Sequence, residues 1–143
     1  AVVSAAAIFD ESISKARYYG HYLTHVWVWI NTLSLQIRDS QTGFRAYPLA
    51  VTTPLIERAY IGKRMDFDSE ILVRHYWAGA DIVHFPTLVI YPENGVSHFD
   101  MVADNIRISL MHTRLFFGML LRMPRLIARN IRRRNQQKDG QHA

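Results

Sequence analysis

Three carboxylates, Asp66, Asp68 and Glu70, lie close together at the start of a helical segment. Asp66-Phe67-Asp68 matches an Asp-x-Asp pair literally. Two carboxylates without further oxygen ligands make a poor site for a hard divalent cation, so no metal ligand is assigned to this chain. At a helix N-terminus the same residues cap free backbone N–H groups and stay ionised in the field of the helix. A second polar group is Asp39, Thr42, Gly43 and Arg45. Gly43 permits close backbone approach or a positive φ, and the planar fork of Arg45 suits phosphate. Read plainly, this segment is a polar turn before an edge strand. Ser97 and His98 follow a glycine-containing turn and form either a mobile lid or an exposed loop. His21 and His25 have the four-residue spacing of a two-His metal site. No third ligand accompanies them, and they are expected as core or surface histidines.

The elements that must position these residues follow from periodicity. Leu23, Val26, Trp27, Ile30, Leu33 and Ile37 recur every three or four residues, which predicts a helix from Glu11 to about Ile37. Gly43 to Tyr47 reads as a short strand ended by Pro48. Thr52 or Thr53 before Pro54 reads as a helix start with proline in the first turn, ending near Ile61-Gly62. Asp66 to Ala78 is a predicted helix with Gly79 beyond its end. Ile82 to Tyr91 is apolar and β-branched, a strand interrupted by Pro86, and Pro92 to Gly95 is a turn.

The chain has 143 residues, 49% of them hydrophobic and 12% aromatic, enough for one folded domain. It has no cysteine, which excludes disulfides and thiolate metal sites. The opening run Ala1 to Phe9 has no basic leader and reads as an internal strand, not as a signal peptide. No stretch reaches the ~18 apolar residues of a membrane-spanning helix.

The charge is unevenly placed. Residues 1–104 hold 8 Lys/Arg and 11 Asp/Glu, and residues 105–143 hold 9 and 1. Within that basic segment, Leu115, Phe116, Met119, Leu120, Met123, Leu126, Ile127 and Ile131 make an apolar stripe. Arg122, Arg125, Arg129, Arg132, Arg133 and Arg134 make a basic face. Met101 to Arg134 is therefore expected as a basic amphipathic helix, kinked near Pro124 and lying on an anionic membrane surface. The other reading packs this helix on a further segment or subunit. No nucleic-acid partner is expected, because no recognition motif accompanies the arginines. Residues 135–143 are expected as a disordered tail.

Three segments in order resemble family 2 glycosyltransferases of the GT-A type, in particular the branch that includes dolichol-phosphate mannosyltransferase. Asp39-Ser40-Gln41-Thr42-Gly43-Phe44-Arg45 is similar to that family's Asp-x-x-(Ser/Thr)-Gly-Phe-Arg. Phe67 to Arg74, Ala78-Gly79, Ile82 and Pro86 resemble its run of acidic residue, helix, glycine, strand and proline. Gly95-Val96-Ser97-His98 resembles its Gly-x-Ser-Lys. His84, Glu93-Asn94 and His98 depart from residues that are often Glu, Arg and Lys in relatives.

The resemblance implies an α/β fold: the acceptor-side half of a Rossmann-like GT-A domain over residues 1–102, with the amphipathic segment at 103–134. In that family the nucleotide-binding half and the metal-binding Asp-x-Asp precede the Asp39 segment, so the chain is expected to be an inactive fragment, with ligands for Mg²⁺ or Mn²⁺ outside it. The implied activity is inverting transfer of a sugar from a nucleotide-sugar donor to a lipid-linked or envelope acceptor. The implied place is the inner face of the plasma membrane, in peripheral attachment. Asp68 or Glu70 is the implied base. Asp39, Thr42, Gly43 and Arg45 are implied on the acceptor side, and Ser97 and His98 at the donor phosphates. The alternative is a non-catalytic module that binds a membrane surface or a partner.

Overall fold

The structure, a computed structural model, describes residues 1–9, 13–90, 95–96 and 98–141. It is a mixed α/β arrangement, with β1 (Val2–Phe9), α1 (Lys15–Thr32), β2 (Arg45–Ala46), α2 (Leu49–Arg58), α3 (Phe67–Trp77), β3 (Ile82–Val89) and α4 (Ala103–Gln141). The sheet order is β2-β1-β3. β1 pairs with β3 in parallel along its whole length, from Val2 opposite Ile82 to Phe9 opposite Val89. It pairs with β2 antiparallel only at Val3 and Ser4. The run of small residues Ala5-Ala6-Ala7 lies in this central strand. Pro86 is tolerated inside β3 because β3 is an edge strand, where a missing N–H breaks no second ladder.

The core forms where α1, α3 and α4 meet the start of β1. Val2, Val28, Ile37, Leu72, Val73 and Tyr76 pack with Met111, Leu115, Met119 and Leu126 of α4. The C-terminal helix is thus joined to the body, where the sequence sets 103–134 apart as a membrane segment. Removing the apolar side of α4 from water stabilises the whole unit, at about 25 cal/mol per Å² buried.

Element boundaries in α1, α2 and α4 differ from the sequence expectation, and α2 also ends at Arg58, short of Ile61-Gly62. α1 stops at Thr32, short of Ile37, because Leu33 turns left-handed at φ 51 and returns its N–H to Ile30. The N–H of Ser34 bonds Trp29 as well, closing the helix end. Ser14 caps the other end by accepting from the Arg17 N–H. α2 begins at Leu49 behind Pro48, so Pro54 lies inside the helix and not in its first turn. Thr52, expected to open the helix, is buried within it and meets His75 Nε2 at 2.8 Å. α4 spans Pro124 and continues to Gln141, where a disordered tail is expected from residue 135. Extending a helix that is already nucleated and packed is cheap for the Gln and Lys residues that follow.

Candidate functional site

Asp39 sits in the segment that returns from α1 to the sheet. Beyond Ser4, β1 has no paired strand on its β2 side, and its free N–H groups need acceptors. Phe44 supplies one carbonyl, 3.0 Å from the Ala5 N–H. The Asp39 carboxylate supplies the next, 2.8 Å from the Ala7 N–H. The same carboxylate accepts from the N–H of Gln41 at 2.9 Å and of Thr42 at 3.0 Å, and from the Thr42 hydroxyl at 2.7 Å. Burial pushes the carboxyl up, but the bonds from Ala7, Thr42 and Gln41 outweigh it and hold Asp39 below its ordinary value. Asp39 and Thr42, implied as acceptor contacts, are therefore committed to shaping the turn.

That turn delivers Arg45 to β2. Its side chain is fully buried. Nε donates to the Ser4 hydroxyl at 3.1 Å across the β1–β2 register. Nη1 donates to the backbone carbonyl of Asp68 and, at 3.4 Å, to the Tyr47 hydroxyl. Nη2 is buried without a partner among the described residues. The register that sets Arg45 opposite Ser4 also sets Ser4 opposite His84 of β3, giving a polar row across all three strands. Nε2 of His84 accepts the Arg38 N–H at 3.1 Å, and burial lowers the pKa of this imidazole. Ser4 and His84 are site neighbours that motif spacing does not reveal. The available signal is Ser4 itself, a polar residue in an otherwise apolar strand.

Asp68 occupies the first turn of α3, with its side chain 34% exposed, and Oδ1 lies 3.9 Å from Arg45 Nη1. Ser69 Oγ bonds the Ser40 carbonyl at 3.2 Å and ties the helix start to the Asp39 turn. Gly43 closes the group: a Cβ there would come within 3.6 Å of Asp68 Oδ1. Burial raises the Asp68 pKa, Arg45 opposes it and the charge of Asp39 adds to it. The net shift runs upward, opposite to the direction in which a helix N-terminus alone would move a carboxylate.

Glu70 is placed differently. Fully buried, it receives Arg74 at 2.8 and 3.1 Å, Arg114 at 2.6 and 3.3 Å, and the Gly62 N–H at 2.9 Å. With both oxygens occupied, it clamps α3 to α4. Of the two implied bases, Asp68 alone has an open carboxylate. Asp66 is buried and accepts the Arg64 N–H at 3.2 Å. Among the described residues no three ligating side chains gather around a metal-sized space.

His98 is exposed in a segment without regular structure, and Ser97 lies outside the described residues. His25 is buried edge-on to Trp29, with ring centroids 4.6 Å apart. Its neighbour His21 stands 3.9 Å from Asp39. A groove of about 1270 Å³ lies away from Asp68, where Ile30, His84, Ile127 and Arg134 line it together. The basic face of α4 also divides. Arg122 stacks on Trp77, Arg129 and Arg133 on Tyr76, and Arg133 pairs with Asp81 at 2.8 Å. These three, expected at a membrane, are held against α3 and the turn after it. Arg122 remains exposed beside its ring, as do Arg125, Arg132 and Arg134, which stack on none among the described residues. No described helix is long and apolar enough to cross a membrane. Comparison with protein families, with curated proteins and with solved structures finds no match to this chain.

Proposed function

We propose that this chain is the acceptor-side half of a GT-A glycosyltransferase, with Asp68 as the general base of an inverting sugar transfer. One observation carries the reading: a half-open carboxylate of raised pKa, at a helix start, set against Gly43 and the buried guanidinium of Arg45. A base works best when its pKa is lifted towards the working pH, and desolvation does that for Asp68. Such a base takes a proton from an acceptor hydroxyl, whereas a phosphate acceptor needs none. The reading therefore favours a hydroxyl on a lipid-linked or envelope acceptor. Arg45 serves as a positioning residue, gripping the backbone of Asp68 and holding the carboxylate over Gly43. Residues outside this chain supply the nucleotide-sugar site and the Mg²⁺ or Mn²⁺ ligands.

The test uses the protein together with its donor-binding half, a set of nucleotide sugars and Mg²⁺. Asp68→Asn is expected to lower the transfer rate at least 100-fold, the weight of a general base, with KM for the donor unchanged. Full activity of that variant would remove Asp68 from the chemistry.

A further inference from the structure

α4 carries an apolar stripe that nothing in the structure covers. Ile106, Leu110, Phe117, Leu121, Ile127 and Ile131 are all exposed, Leu121 to 84%. The other residues on this face are Thr113, Leu120, Pro124 and Ala128, so it holds no charge from Ile106 to Ile131. At 1.5 Å per residue that is a strip of roughly 38 Å. α1 extends it sideways. Tyr19, Leu23 and Ile30 are exposed on α1. Trp27 bridges to α4, its ring edge-on to Phe116 with centroids 6.4 Å apart. Ile30 shares a groove with Ile127 and Ile131. Soluble monomers seldom leave so long an apolar patch open.

The charges beside the strip say what covers it. Arg125, Arg132, Arg134 and Lys138 are exposed and make no ion pair among the described residues. Residues 105–143 offer them 1 acidic residue against 9 basic ones. A second copy docking on this face would bring these arginines against their own kind. Tyr18, Tyr19 and Tyr22 are exposed on α1, and such rings, with an apolar body and a polar tip, suit the boundary between headgroups and acyl chains.

We propose that the joined α1–α4 face rests on an anionic bilayer, with Phe117, Leu121 and Trp27 in the acyl boundary. Arg125, Arg132 and Arg134 would meet the headgroups. The contact surface is thus the exposed stripe and its bordering arginines, and Arg122, Arg129 and Arg133 take no part in it. This inference stands apart from the sugar-transfer reading.

Flotation of the intact protein with phosphatidylcholine vesicles, with and without phosphatidylserine, tests it. Binding is expected to phosphatidylserine vesicles and to weaken about 100-fold when Arg125, Arg132 and Arg134 are all changed to Gln. The double variant Phe117→Asp, Leu121→Asp is expected to lose binding while keeping its circular dichroism, since both side chains are exposed. Undiminished binding by both variants would overturn the proposal. So would a protein that ignores vesicles and instead forms a dimer broken by Leu121→Asp, or one that ignores vesicles and remains a monomer.

Discussion

Arg45 Nη1 stands 3.9 Å from Oδ1 of Asp68 while it donates to that residue's own backbone carbonyl. One guanidinium thus fixes the helix start and partly offsets the desolvation of the carboxylate above it. Arg45→Lys keeps a charge but loses the fork. Ser4 and the Asp68 carbonyl cannot then both be satisfied, and the fold is expected to lose about 2 kcal/mol in urea denaturation. Weaker opposition from residue 45 lets the Asp68 pKa rise further. Under the proposed base role, the acid limb of the transfer rate–pH profile then moves to higher pH, and a limb that stays in place would disconnect Arg45 from that role.

Asp68→Asn separates activity from stability. The folded-state pKa of Asp68 is raised, so its contribution to stability is full below about 3.8 and is lost as pH rises through the folded value. Removing the ionisable group removes that penalty. The variant is expected to be at least as stable as the parent at pH 7 in thermal melts, while the proposed transfer falls at least 100-fold.

Glu70 carries the opposite expectation. Glu70→Gln leaves Arg74 and Arg114 converging on a neutral, fully buried amide. Breaking a buried pair from one side costs 3–5 kcal/mol, and about 3 kcal/mol is expected here from chemical denaturation. A loss below about 1 kcal/mol, the scale of an exposed pair, would mean that solvent already screens the cluster.

Acidification should unfold the protein in two stages. His112 is buried against Trp27 and Asn31, and its pKa is lowered by burial to about 4. Its folded value lies below the ordinary 6.5, so the stability it contributes is present above 6.5 and is lost as pH falls towards 4, about 3 kcal/mol in all. His25, His75 and His84 are lowered by burial as well and act in the same direction. Asp39, held below 3.8, adds a second loss as pH falls through its folded value. Stability measured from pH 7 to 3 is expected to show the first slope reduced in His112→Gln and the second reduced in Asp39→Asn.

Gly118 sets two effects against each other. Ala at an exposed helix position gains about 1 kcal/mol over Gly. Here a Cβ would meet the Trp77 ring at 2.8 Å, and that ring is fixed by its bond to the Asn31 carbonyl at 2.8 Å. Overpacking costs 1–3 kcal/mol, so Gly118→Ala is expected to be destabilising by about 1 kcal/mol. A stabilised variant would show that Trp77 moves freely.

The local order of the chain is largely written in the sequence. The apolar spacing of α1, α3 and α4, the β-branched run of β3 and the polar break at Asp39 to Thr42 each announce an element, because helix and strand periods depend only on neighbours along the chain. The sequence presents Gly43 and Arg45 in one polar group and Asp68 in another, and the tertiary structure brings the three together as one cluster. What each residue does within it was left to the tertiary structure. Asp68 and Glu70 look alike on a helix start, two residues apart. Only the packing of α4, which brings Arg114 to Glu70 and leaves Asp68 to Gly43 and Arg45, makes one a clamp and the other an open, desolvated acid. The same holds for α4. Its composition decides that it is basic and amphipathic, but Arg129 and Arg133 turn inward because the ring of Tyr76 lies across from them, while Arg122 lies over Trp77 at the surface. Long-range partners fix burial and charge pairing, and no spacing within one segment encodes a partner that lies outside it.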